Sequence, residues 1–210
     1  MTWKNDQVTA AETMRILTLA RDCLKVEGDF VEMGCYKGDT SLLLAEILVE
    51  NYVDKVVEKM GKSGEKGVEN YDSGKSKKKL WIYDSFEGLP EKMEADKSVL
   101  GEAFKGGELA VTKREVKERF LRAGLPVPVI KKGWFSDLTE VDLPEKIAFA
   151  FLDGDFYESI RDSLKLVEPR MSEGGVVVVH DYSNPALPGV KKAVEEWGEV
   201  GKVGLRVALL

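Results

Sequence analysis

Two apolar runs in this chain end on acidic residues. Ile147-Ala-Phe-Ala-Phe-Leu152 runs into Asp153-Gly154-Asp155, and Val176 to Val179 runs into His180-Asp181-Tyr182. The runs are short, β-branched or aromatic, and flanked by Pro144-Glu145 and Gly174-Gly175, which predicts fully buried parallel strands rather than helix. In an open α/β sheet the ligand sits outside the carboxyl ends of the strands, where the strand order reverses. Carboxylates gathered at that end point to a metal site.

A second cluster lies in the turn Glu32-Met-Gly34-Cys-Tyr36-Lys-Gly38-Asp-Thr40. Its glycines fall where the backbone turns tightly and a ligand can approach, or where strand merely packs on helix. The turn lacks the GxGxxG spacing of dinucleotide binders, and Glu32 would repel a pyrophosphate, so a cationic or hydroxyl-rich ligand suits it better. The run Leu80-Trp-Ile-Tyr83 ends at Asp84, where doubly wound folds keep an acid for ribose hydroxyls. A turn cap through Asp84-Ser85 is the competing reading. Glycine turn and acid together favour a nucleoside-bearing ligand.

These residues need elements to hold them. Thr9-Ala-Ala-Glu12 has capping-box spacing and opens an amphipathic helix over 9–27. Phe30 to Met33 is the first strand, and Leu42, Leu43, Leu44, Ile47 and Leu48 crowd one side of the helix that follows. Residues 51–79 carry eight Lys, five acidic residues and four Gly, which predicts a helix extension fraying into a mobile Lys/Gly-rich insertion over 55–79. Thr112-Lys-Arg-Glu115 caps a helix closed by Gly124, Val127 to Lys132 is the third strand, and Tyr157 to Val167 is a helix. Residues 147–152 and 175–180 are the fourth and fifth strands. Pro188 opens a last helix, and a final strand falls around Leu205 to Leu210. Repeated β-α alternation means one α/β domain over 1–210, a mostly parallel sheet with helices on both faces.

The chain has 210 residues, 43% hydrophobic and 32% charged, enough for one sizeable core. A net charge of −6 disfavours nucleic acid and anionic membranes as partners and favours a small molecule. Cys23 and Cys35 form no CxxC pair, so neither a disulfide framework nor a thiolate zinc site is expected. With no apolar signal core and no run of membrane-spanning length, a cytoplasmic location is expected.

Several segments in order, Gly28-Asp-Phe-Val-Glu-Met-Gly34, Asp84-Ser-Phe-Glu-Gly-Leu-Pro90, Lys132-Gly-Trp-Phe-Ser-Asp137, Leu152-Asp-Gly-Asp-Phe-Tyr-Glu-Ser159 and Asp181-Tyr182 with Pro188 to Ala193, resemble the macrocin O-methyltransferase family. The resemblance implies a Rossmann-like class I methyltransferase that uses S-adenosylmethionine and a divalent metal to methylate sugar hydroxyls of natural products. It places Glu32, Gly34, Tyr36, Gly38 and Thr40 at the methionine end of that cofactor, and Asp84 with Ser85 at the ribose. Ser136 falls by the adenine, with Phe135 or Trp134 stacking; as a large aromatic just after a strand, Trp134 is expected in the core. Asp153, beside the cofactor, and Asp181 become metal ligands. A metal-bound hydroxyl oxygen is a better nucleophile, and magnesium is content with two or three protein oxygens.

The chain departs from the family in two places. Where Asp-Asp is common it has His180-Asp181, and His180 is its only histidine. His180 is either a ligand for a softer ion such as manganese, a general base, or a packing residue. Asp155 is read as assisting proton removal or orienting the acceptor, against an ordinary Asp-Gly turn. After Trp197 only 13 residues remain, so the closing antiparallel hairpin is expected to be shortened, with its edge incomplete or completed in a homo-oligomer. The acceptor, a small molecule with hydroxyl groups, is expected between the 9–26 helix and the 91–111 loop. A nicotinamide-dependent oxidoreductase and a non-catalytic nucleoside-binding scaffold are the alternatives.

Overall fold

A computed structural model of the protein describes residues 7–63, 78–101, 104–198 and 206–210. Helix α1 (Ala10–Asp22) starts at the expected box: Glu12 N–H donates to Thr9 Oγ1, and Glu12 Oε2 accepts from Thr9 N–H. Strand β1 (Asp29–Met33) leads to α2 (Asp39–Ser63), and β2 (Leu80–Asp84) follows. Next come α3 (Lys113–Arg122), capped reciprocally by Thr112 and Glu115, and β3 (Val129–Lys132). Strand β4 (Ile147–Leu152), α4 (Tyr157–Val167), β5 (Met171–Val179), α5 (Pro188–Gly198) and β6 (Arg206–Leu209) complete the order.

All six strands are parallel, in the order β3-β2-β1-β4-β5-β6. The order reverses between β1 and β4, so the crevice beyond their carboxyl ends is where such a sheet binds a ligand. Successive strand residues point to opposite faces. Phe30, Phe149 and Val178 pack with Ile16 of α1, Leu44 of α2 and Phe120 of α3. Val31, Ala150 and Val177 pack on the other face with Ile160 and Leu164 of α4 and Val190 of α5. Every residue of β4 is buried, as its unbroken apolar run requires.

Three expectations are corrected. Helix α2 runs on to Ser63, inside the stretch read as an insertion, because Val53, Val56, Val57 and Met60 keep the helical period. Residues 64–77 lie outside the described residues, and Lys79 rejoins the sheet by donating its N–H to Asp29 Oδ1 at 2.9 Å. Strand β5 begins at Met171, which pairs with Ile147 ahead of an irregularity in register. The last strand is no remnant of a hairpin: β6 pairs parallel to β5, Val177 opposite Val207, because α5 intervenes and β-α-β connections make parallel neighbours. No antiparallel strand occurs among the described residues.

Candidate active site

The ladder of backbone hydrogen bonds continues one step past the strands and sets the chemical residues in place. Gly34 N–H donates to Tyr83 O at 2.9 Å, Asp153 N–H to Met33 O at 2.8 Å, and His180 N–H to Leu152 O at 3.0 Å. Gly133 N–H likewise donates to Asp84 O at 3.0 Å. The five strand ends thereby open on one cleft of about 290 Å³, whose walls include Gly34, Tyr36, Asp84, Phe135, Asp153 and Asp181. That lies at the small end of the range for small-molecule sites.

Backbone strain concentrates here. Of the six described non-glycine residues with positive φ, five line the cleft: Tyr36 (45°), Phe104 (60°), Leu109 (62°), Asp155 (61°) and Asp181 (59°). The left-handed conformation costs Tyr36, Phe104 and Leu109 roughly 1–2 kcal/mol each and the two aspartates less, and strain of this kind gathers at functional sites. The sequence carries no signal of it.

Asp84 caps turns, one of the two readings made of it, and it also lines the cleft. Its Oδ2 accepts the N–H groups of Cys35 (2.9 Å) and Tyr36 (3.3 Å), and Oδ1 accepts Phe86 N–H (2.7 Å), so it shapes two turns while facing the cleft. Ser85 lines the same wall, its Oγ donating to Gly88 O at 2.8 Å. Gly34 has φ of +90°, and a Cβ there would sit 2.0 Å from Asp153 O, so this glycine admits the end of β4. Gly38, at +79°, closes the turn against Val116 and lies outside the lining of the cleft.

Glu32 and Thr40 are buried around a small recess beside the cleft, with Tyr36 and Asp153. Glu32 accepts the hydroxyl of Ser41, and burial pushes its carboxyl well above the usual range. Trp134, expected in the core, is half-buried on the cleft wall with Phe135, because β3 is an edge strand whose carboxyl end opens on the site. Ser136 is exposed, its hydroxyl 3.5 Å from Asp137 Oδ1, and does not reach the cleft lining.

At the floor lies the cluster expected from the two strand ends. His180 Nδ1 is 2.9 Å from Asp153 Oδ1 and 2.9 Å from Asp181 Oδ2. One ligand atom from each of the three residues falls within 4.8 Å of the others. Burial works against an imidazolium at His180, but the two carboxylates outweigh it and push its pKa up to about 11. Burial also opposes ionisation of Asp181, yet His180 and the Asn184 amide, 2.8 Å from Oδ1, hold its carboxyl below the usual range. Asp155, half-buried on the cleft wall, is pushed well up by desolvation and by the charges of Asp153 and Asp181.

Two supports were not legible in the sequence. Glu12, read only as a helix cap, brings Oε2 to 3.7 Å from His180 Nε2. Leu210, past β6, accepts the N–H of Tyr182 at 2.7 Å and so steadies the turn that carries Asp181. Opposite them the 85–111 segment walls the cleft with Leu89, Phe104 and Leu109. It is tied down where Asp96 Oδ1 accepts Tyr157 N–H at 2.7 Å, at the start of α4.

A doubly wound parallel sheet with an acidic cleft at its switch point places the chain among the α/β proteins that bind ligands beyond their strand ends. Within that class the chain belongs to the Macrocin-O-methyltransferase (TylF) family, whose profile matches residues 67–207. It is 30% identical over 178 residues to 8-demethyl-8-(2,3-dimethoxy-alpha-L-rhamnosyl)-tetracenomycin-C 4'-O-methyltransferase of Streptomyces olivaceus, covering 82% of this chain and 58% of that protein. Identity and coverage are the same for demethyldecarbamoylnovobiocin O-methyltransferase of Streptomyces niveus, at 30%, 82% and 58%. The chain thus spans 58% of the length of these curated relatives. The O-methyltransferase NovP superposes with a TM-score of 0.67 at 26% identity, covering 90% of this chain and 71% of that one. The calicheamicin methyltransferase CalS11, at TM-score 0.63 and 19% identity over 89% of this chain and 70% of its own, shares the fold.

Proposed function

We propose that this chain transfers a methyl group from S-adenosylmethionine to a hydroxyl of a sugar or polyhydroxylated small molecule, assisted by a divalent cation. The observation that carries the reading is the convergence of Asp153, His180 and Asp181 on one cleft with Asp84 and Phe135. The cleft is rich in carboxylates, which suits a sulfonium donor and a cation and disfavours a pyrophosphate. Asp84 faces the ribose hydroxyls with the acceptor capacity its backbone bonds leave, and Phe135 and Trp134 offer flat apolar surface to the base. The walls from Leu89, Phe104 and Leu109 keep water from the acceptor.

Asp153, His180 and Asp181 would hold the cation. Two carboxylates around an imidazole, with Asp155 adjacent, form an oxygen-rich donor set that magnesium fits; the single nitrogen also admits manganese or another softer ion. When bound, such an ion lowers the pKa of an acceptor hydroxyl and orients it. Asp155, on the cleft wall two residues past Asp153, takes the hydroxyl proton, a contribution of roughly 10²–10⁴-fold. The relatives named above are methyltransferases, so nothing favours the oxidoreductase or scaffold readings.

Calorimetric titration with S-adenosylmethionine, S-adenosylhomocysteine and NADH tests the reading. Micromolar binding of the two sulfur nucleosides with NADH silent is expected. Failure of both to bind would overturn it.

A further inference from the structure

His180 is held from two sides. Its Nδ1 faces Asp153 and Asp181, while Nε2 faces Glu12 of α1 at 3.7 Å. The ring is 4% exposed and stands edge-on to Phe151, with centroids 6.1 Å apart, so it has little freedom to turn over. Glu12 is fixed as well: its Oε2 accepts Thr9 N–H at 2.9 Å and Thr9 Oγ1–H at 2.6 Å. A carboxylate that accepts the far ring N–H is the usual means of orienting an imidazole ligand, and losing it costs about 10–100-fold in metal affinity; at 3.7 Å Glu12 acts on Nε2 through its charge, just beyond hydrogen-bond length.

We propose that Glu12 is a positioning residue for the metal site: held against Nε2 of His180, it fixes the ring with Nδ1 turned to Asp153 and Asp181, where it can serve with them as a ligand. The inference rests on the metal-assisted reading above and deepens it in two respects. It makes a helix from the start of the chain part of a site built at the ends of β4 and β5. It also assigns the site an ion with affinity for imidazole, manganese ahead of magnesium, since a nitrogen ligand held this way gains little from magnesium.

The test is titration of the full chain with Mn²⁺ and with Mg²⁺, followed by calorimetry and by the EPR signal of free Mn²⁺. Wild type is expected to bind Mn²⁺ more tightly than Mg²⁺, and Glu12→Gln to bind Mn²⁺ about 10–100-fold more weakly. Glu115→Gln, which alters the equivalent capping box on α3 away from the site, should leave Mn²⁺ affinity unchanged. In a His180→Asp background, Glu12→Gln should no longer weaken binding, because the nitrogen it served is gone. Wild-type affinity in Glu12→Gln, or an equal loss in both backgrounds, would overturn the proposal and leave the metal site standing. A wild-type chain that binds neither ion would overturn the metal-assisted reading and this inference with it.

Discussion

Replacing Gly34 with alanine should disable the site through backbone geometry alone. Gly34 has φ of +90°, and its added methyl would lie 2.0 Å from the carbonyl oxygen of Asp153 and 2.8 Å from its carbonyl carbon. The φ value by itself costs an alanine roughly 1–3 kcal/mol. Relieving the overlap means moving the backbone that carries Asp153, and overpacking of that kind costs about 1–3 kcal/mol more. Gly107 separates the two contributions: its φ is +80°, and a methyl there meets nothing within 4 Å. Gly107→Ala should therefore lose about 1–3 kcal/mol and Gly34→Ala about 2–6 kcal/mol. Urea unfolding followed by circular dichroism reads the difference as a midpoint shift, at a slope of about 1–3 kcal/mol per molar urea. In parallel, Gly34→Ala should lose Mn²⁺ binding while Gly107→Ala keeps it. Equal midpoints for the two variants, or intact metal binding in Gly34→Ala, would refute the view that Gly34 exists to admit the end of β4.

Asp155→Asn should lower methyl-transfer turnover by roughly 10²–10⁴-fold with donor binding retained in calorimetry; turnover within a factor of a few of wild type would remove Asp155 as the proton acceptor. Asp84→Ala strips acceptors from three backbone N–H groups and should cost on the order of 2–4 kcal/mol in urea unfolding, together with donor affinity. Tyr83, fully buried with its hydroxyl donating to Asp142 O at 2.8 Å, has its pKa pushed up by burial. Because the raised value belongs to the folded state, its contribution is intact below the unfolded pKa of about 10 and is lost as pH rises beyond it. Tyr83→Phe should thus be about 1 kcal/mol less stable at neutral pH and show a shallower alkaline loss of stability, and parallel pH profiles would contradict this.

What the sequence reveals is what local pattern encodes. The apolar run of β4 can only be a strand buried on both faces, and its last residue hands the chain to Asp153. The same logic delivers His180 and Asp181 from β5, and the parallel sheet then brings the two ends together. Composition misleads where it competes with periodicity: Lys and Gly in 55–63 suggested a mobile insertion, while the spacing of Val56, Val57 and Met60 continued a helix. Contacts between distant segments leave no local trace. Glu12 reads as a capping residue and is one, yet its second role exists only because α1 packs over the end of β5. Trp134 is an aromatic after a strand, and only the edge position of β3 turns it from core to cleft wall. The left-handed backbone of Tyr36, Asp155 and Asp181 is imposed by tertiary structure on residues with no intrinsic need for it.

The most direct test of the account is transfer of a radiolabelled methyl group from S-adenosylmethionine to a panel of glycosides, with Mn²⁺ or Mg²⁺ present, by wild type and by Asp153→Asn. Label in an acceptor hydroxyl that depends on the added ion and disappears in Asp153→Asn is the predicted result. Transfer that is indifferent to chelation and survives in Asp153→Asn would contradict the site as assigned.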